Sequence, residues 1–154
     1  MLRWLWVSGV VVVLDQVTKF LALAWLAPHV PVPVIPMLNL TLTFNRGAAF
    51  GFLSGAPGWQ NAIFILIALA AAGVILQMLR GLSRVEIWLA VALTLILGGA
   101  IGNLIDRLIH GQVVDFVDVY FGSWHFWTFN VADSAISIGA AVLIADALFR
   151  RRTS

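Results

Sequence analysis

Residues 86–105 read EIWLAVALTLILGGAIGNLI. Beyond Glu86 this run has no charge, and its length matches the roughly 20 residues a helix needs to cross the hydrocarbon of a bilayer. Gly98, Gly99, Ala100 and Gly102 give it a small-residue surface, which lets a neighbouring helix come close. The run therefore reads as a membrane helix that packs within a bundle. Three more apolar segments accompany it, at residues 4–26, 60–79 and 131–149. The expected fold is an all-α membrane protein, a four-helix bundle in one domain spanning 1–154.

Composition agrees. The chain of 154 residues is 62% apolar and 10% charged, where a soluble domain carries about 25% charged residues. Cysteine is absent, which removes disulfides, thiol nucleophiles and Cys-ligated metals from consideration. The formal charge is only +2, and its basic excess sits in terminal and loop arginines. That pattern reads as membrane orientation and not as nucleic-acid binding. Arg3, Arg80, Arg84, Arg150, Arg151 and Arg152 flank one side of the four segments, and Arg46 and Arg107 the other. The termini and the 80–85 loop are thus expected in the cytoplasm, and the long connections 27–59 and 106–130 outside. The first segment is read as a retained span, because Asp15 and Lys19 interrupt the apolar run that a cleaved signal peptide would need.

The first outer connection begins with Pro28, Pro31, Pro33 and Pro36, which exclude a helix. Leu38-Asn39-Leu40-Thr41-Leu42-Thr43-Phe44 then alternates like a strand, so a small extracytoplasmic sheet is expected. A small-residue turn follows over Asn45–Gly51. The second connection carries Val113–Tyr120 and the aromatics Trp124, Phe126, Trp127 and Phe129, which suit the headgroup region.

Acidic groups in so apolar a chain each need a reason. Asp15 and Lys19 are spaced i, i+4 and read as a structural ion pair turned toward the bundle. Asn103, Asp106 and Arg107 fall within about one turn near the outer end of the third span; Arg107 either orients carboxylates or snorkels to water. Asp115 in Val113-Val114-Asp115-Phe116 is a solvated loop acid, as Asp118 is, or half of a site. Asp133 in Asn130-Val131-Ala132-Asp133 completes a capping box at the start of the fourth helix, or is the other half. Two carboxyls that share one proton activate water without a metal. No serine–histidine or serine–lysine arrangement competes, His29, His110 and His125 are scattered, and no HExxH spacing occurs.

Five motifs in order make the chain similar to the bacterial lipoprotein signal peptidases, the signal peptidase II family, over nearly its whole length. They are Asp15-Gln16-Val17-Thr18-Lys19, Phe44-Asn45-Arg46-Gly47-Ala48-Ala49-Phe50, Gly98–Arg107, Gly111-Gln112-Val113-Val114-Asp115-Phe116, and Phe129-Asn130-Val131-Ala132-Asp133-Ser134. The resemblance implies an aspartic endopeptidase of the bacterial inner membrane that cuts diacylglyceryl-modified prolipoproteins just before the lipidated cysteine. It implies Asp115 and Asp133 as the catalytic pair, with Asn45, Gly47, Asn103, Asp106, Arg107 and Asn130 holding substrate or supporting the dyad. No cofactor or metal is implied, membrane lipid is the surrounding partner, and a monomer is the expected state. The helix N-terminus favours Asp133 as the charged member at rest.

Three rivals remain at this level. A transporter would place functional charges near the midplane and often contain repeats; only Asp15 and Lys19 lie so deep, and no repeat is visible. A non-enzymatic assembly subunit would tolerate loss of both aspartates. A presenilin-type protease would need a GxGD motif, which is absent.

Overall fold

The computed structural model describes residues 1–47 and 58–150, with only the backbone for Arg150. Ala48, Ala49, Phe50 and Gly51 of the expected turn, and the orienting Arg151 and Arg152, lie outside the described residues. A single turn of 3-10 helix (Leu2–Trp4) leads into α1 (Leu5–Trp25). Next come β1 (Val32–Ile35), β2 (Leu38–Asn45), α2 (Trp59–Gly81), α3 (Ile87–His110), β3 (Val113–Phe121), β4 (Trp124–His125) and α4 (Val131–Arg150). All four α-helices are long and apolar enough to cross a membrane. Their outer faces carry large apolar side chains that water would not tolerate in such number, such as Phe20, Leu66, Trp88 and Ile144.

α3 is the central helix, and its small residues are the reason. A methyl group at Gly98 would stand 2.7 Å from Cβ of Val11 and 3.0 Å from the backbone of Ser8 on α1. One at Gly99 would collide with the Ala132 carbonyl oxygen on α4, and one at Gly102 would stand 2.6 Å from the Asp15 carboxylate. Gly139 on α4 returns the favour against the Ala92 carbonyl, 2.7 Å away. Backbones thus touch along two seams of one helix, where lipid offers no hydrophobic drive and close contact supplies the attraction. The cluster of Ile75, Leu79, Ala90, Leu93 and Leu97 ties α2 to α3 near the opposite end of the bundle from the sheet. There the Met1 ammonium donates to the Leu79 carbonyl at 3.0 Å.

The strands form one antiparallel sheet in the order β1-β2-β3-β4. Ala22 of α1 packs under it with Leu42, Val114 and Phe116. The proline-bearing β1 is the edge, where a missing N–H is tolerated. β2 keeps no strict alternation: its register to β3 shifts between Leu40 and Thr43, which buries Asn39 before the shift and Leu42 after it.

Two expectations are corrected. The third helix does not end at 105 but runs to His110, where Gly111 takes the left-handed conformation (φ 69°) that closes it. Asp106 and Arg107 do not end it because both find partners inside the protein. Asp118 is not a solvated loop acid, and of the two readings of Asp115 the solvated one falls away; both sit on β3, and both are buried. Asp118 accepts from Asn39, Thr41 and His125, and Thr43 faces Asp115 across the β2–β3 ladder.

Gly99→Ala should lower the thermal midpoint of the detergent-solubilised protein, by the equivalent of about 1–3 kcal/mol of overpacking. Gly73→Ala on α2, where an added methyl meets nothing within 4 Å, should leave it unchanged or slightly higher. Equal midpoints for the two variants would contradict the seam.

Candidate active site

The site grows from the first turn of α4. Asn130 caps that helix, its Oδ1 accepting from the Asp133 N–H at 2.9 Å. In return the Asp133 carboxylate accepts from the Asn130 N–H at 3.4 Å, the reciprocal arrangement of a capping box. A third free N–H of this turn, on Ala132, donates to Asp15 Oδ1 of α1 at 2.9 Å. Three acceptors from two elements therefore meet the electropositive end of α4, where negative charge is favoured.

Two amides connect the carboxyls. Asn130 Nδ2 donates to Asp115 Oδ1 at 2.7 Å, and Asn103 Nδ2 donates to Asp133 Oδ1 at 2.8 Å. The amides also meet each other, Asn130 Nδ2 to Asn103 Oδ1 at 3.2 Å. Asn45 supplies a further hydrogen bond to Asp115. Burial, and then the negative charge of Asp133, push the Asp115 carboxyl up to about 7, against the opposing pull of Asn130, Asn45 and the Lys19 charge.

Behind the amides lies a buried charge cluster. Lys19 Nζ is 2.8 Å from Asp15 and 2.9 Å from Asp106, and it donates to Asn103 Oδ1 at 3.0 Å. Gln16 bonds Asp15, Asp106 and the Gly102 carbonyl. Asp106 also accepts the Val114 N–H at 2.9 Å, which pins β3 beside Asp115 to the end of α3. Asp106 thus faces the cluster and not open space. Of the two readings of Arg107, the snorkelling one fails, because the side chain is buried; its charge acts on Asp115, Asp133 and Asp106, although no carboxylate of the described residues stands within ion-pair distance. Its guanidinium donates to the Gly47 carbonyl at 2.7 Å and lies 4.5 Å over the Phe64 ring. Its Nη1 is buried with no partner among the described residues.

A cavity of about 720 Å³ opens in front of this assembly. Asn45, Gly47, Asn103, Arg107 and Asp133 are among its polar lining residues; Phe64, Phe126, Trp127, Ile136 and Ile138 are among its apolar walls. Asp115 and Asn130 stand behind the lining, and Asp15 and Lys19 lie deeper in the bundle. The arrangement can hold an extended polar group against one carboxylate while an apolar portion occupies the rest.

A family model for signal peptidase (SPase) II matches residues 7–149. The chain belongs to the signal peptidase II family. It is similar to a lipoprotein signal peptidase of Pseudomonas paraeruginosa, with 48% identity over 99% of this chain and 91% of the relative. A lipoprotein signal peptidase of Hydrogenovibrio crunogenus is 50% identical over 90% of this chain and 81% of its own length. A solved bacterial membrane enzyme superposes with a TM-score of 0.89 at 32% identity, covering 99% of this chain and 91% of that one. The protein is a multi-pass bacterial membrane peptidase.

Several residues around this cavity carry no mark in the sequence of this signal peptidase II family member. Gln16 sat inside a recognised motif without a role. Phe64 and Asn61 belong to α2, whose apolar run carries no motif; Asn61 Nδ2 holds the Arg107 carbonyl at 3.2 Å. Thr128 was hidden in the aromatic stretch, yet its hydroxyl is 2.7 Å from that of Thr43, which joins the cavity wall to β2.

The raised Asp115 carboxyl has a stability consequence. Ionising it in the fold is less favourable than in the unfolded chain, so its contribution is complete below about pH 4, is lost as pH rises and is gone above about pH 7. Asp115→Asn should therefore gain thermal stability on the wild type between pH 4 and 7, with a constant difference above that range. A pH-independent difference in thermal midpoint would contradict this.

Proposed function

We propose that this peptidase removes the signal peptide from diacylglyceryl-modified prolipoproteins, cutting before the lipidated cysteine, with Asp115 and Asp133 activating water. The observation that carries this reading is a pair of carboxyls, each hydrogen-bonded by one of two touching amides, with the half-buried Asp133 on the polar lining of a mainly apolar cavity and the buried Asp115 directly behind it. The substrate class comes from the relatives, which are named lipoprotein signal peptidases. An apolar cavity among membrane helices suits a lipid-bearing peptide. Arg3, Arg80 and Arg84 lie at the end of the bundle opposite the sheet, which supports a cytoplasmic location for the termini and an outward site in the inner membrane.

Two carboxyls that share a site do not both ionise; we take Asp115, buried behind the cavity lining, as the protonated member, since burial disfavours its charge. Asp133, held by Asn103 and by the first turn of α4, is the ionised one. Asp133 takes a proton from water as the water oxygen attacks the scissile carbonyl carbon. Asp115 passes its proton to the carbonyl oxygen, giving a neutral tetrahedral diol. On collapse the C–N bond breaks, the proton on Asp133 moves to the leaving amine, and one hydroxyl returns its proton to Asp115. The product acid and amine leave the pair in its starting state.

Asp115→Asn and Asp133→Asn should each reduce cleavage of a lipidated precursor by about 10²–10⁴-fold, with the protein still inserted and folded in membranes. Full activity in either variant would rule out the dyad.

A further inference from the structure

An asparagine amide has a donor end and an acceptor end, and a correct dyad depends on which way each one faces. Asn130 is settled by backbone: the Asp133 N–H can only donate, so Oδ1 turns to it and Nδ2 turns to Asp115. Asn103 lies on α3, and no backbone group settles it in the same way; its Oδ1 accepts from Asn130 Nδ2 at 3.2 Å, a donor shared with Asp115 and the Val114 carbonyl, and more closely from a cation. What stands behind it is Lys19, whose ammonium has three donors and no acceptor. Nζ bonds Asn103 Oδ1 at 3.0 Å, and the opposite end of the same amide bonds Asp133 at 2.8 Å. The remaining Lys19 donors go to Asp15 and Asp106, so all three are used and the ammonium has one orientation.

We propose that Lys19 is a positioning residue for proteolysis: by holding Oδ1 of Asn103 it turns the amide's NH2 onto Asp133 and keeps that carboxylate the ionised, water-activating member of the pair. This rests on the two-aspartate reading above. The reversed amide would set a carbonyl oxygen against Asp133, tolerable only if Asp133 carried the proton; the dyad would then have its proton on the wrong member. The charged groups around Asp133 are Lys19 and Asp15 from α1, Asp106 and Arg107 from α3, and Asp115 from β3. Of these only Lys19 is bonded to the amide that donates to the Asp133 carboxylate, Asn103. Asp15 and Asp106 act here as the anchors that fix the ammonium, and neither lines the cavity. Lys19 touches no lining atom of the cavity other than Asn103 among the hydrogen bonds described.

The test uses full-length protein in lipid and a lipidated precursor, with kcat and KM measured against pH. Lys19→Met should lower kcat about tenfold or more, the order expected for a hydrogen bond to a charged group. KM should stay within about twofold, and the acid limb of the kcat profile should move up by about one pH unit. Lys19→Arg, also a pure donor, should recover much of kcat and the original limb. Lys19→Met leaves two unpaired carboxylates in the bundle, so Lys19→Met/Asp106→Asn is made beside it; removing one charge of each sign keeps the net charge of the cluster unchanged. The double variant, if folded, should show the same lowered kcat and displaced limb. A wild-type pH profile per folded molecule in that variant, or a loss confined to KM, would overturn the role of Lys19. Retained cleavage by Asp133→Asn would instead overturn the dyad itself, so the two failures are told apart.

Discussion

Lys19 stands between Asp15 and Asp106 at a depth where bulk water does not reach, and the polar part of this protein is arranged around that contact. Two carboxylates facing one ammonium leave an excess negative charge in a low-dielectric setting, which is unfavourable unless donors surround it. The donors come from separate elements: Gln16 on α1, the Ala132 N–H at the head of α4, and the Val114 N–H on β3. Satisfying one buried cluster therefore fixes α1, α3, α4 and the sheet relative to one another. The glycines of α3 make this possible, because a single methyl at Gly102 would press on Asp15 itself.

Arg107 shows how a groove-facing cation is managed differently. It is held by a backbone carbonyl and an aromatic ring instead of by an acid, which leaves one nitrogen without a partner among the described residues. An ion pair there would neutralise the cation; a carbonyl and a ring hold it without doing so. The cavity thus contains a positive group at its edge and a negative one, Asp133, at its base.

Much of this was legible in the residues. Four apolar runs of the right length and an alternating segment after a proline-rich entry indicate the helices and the sheet, because length and periodicity are local properties. The i, i+4 spacing of Asp15 and Lys19 points to their contact, and Asn130 with Asp133 points to the cap. What stayed hidden depended on partners distant in sequence. Asp106 and Arg107 look like the end of a span until Lys19, Val114 and Gly47 are known to satisfy them. Asp115 and Asp118 look solvated until β2 is seen to cover β3. Asn39, a polar residue in a strand pattern, is buried only because the ladder slips between Leu40 and Thr43. Phe64 is one apolar residue among many on α2, and no local pattern separates it from its lipid-facing neighbours.

The reciprocal cap at Asn130 and Asp133 ties several contacts of the site to one turn of helix. The two side chains that start the helix are the same two that carry the amide to Asp115 and the carboxylate on the cavity lining, and their backbone N–H groups complete the exchange. Unwinding α4 by a single residue would release Asp133 from Asn130, Asn130 from Asp115, and Ala132 from Asp15 in one event. The contacts around Asp133 therefore stand or fall with one turn of helix, so the order of this corner of the cavity is tied to the integrity of the fold that holds it.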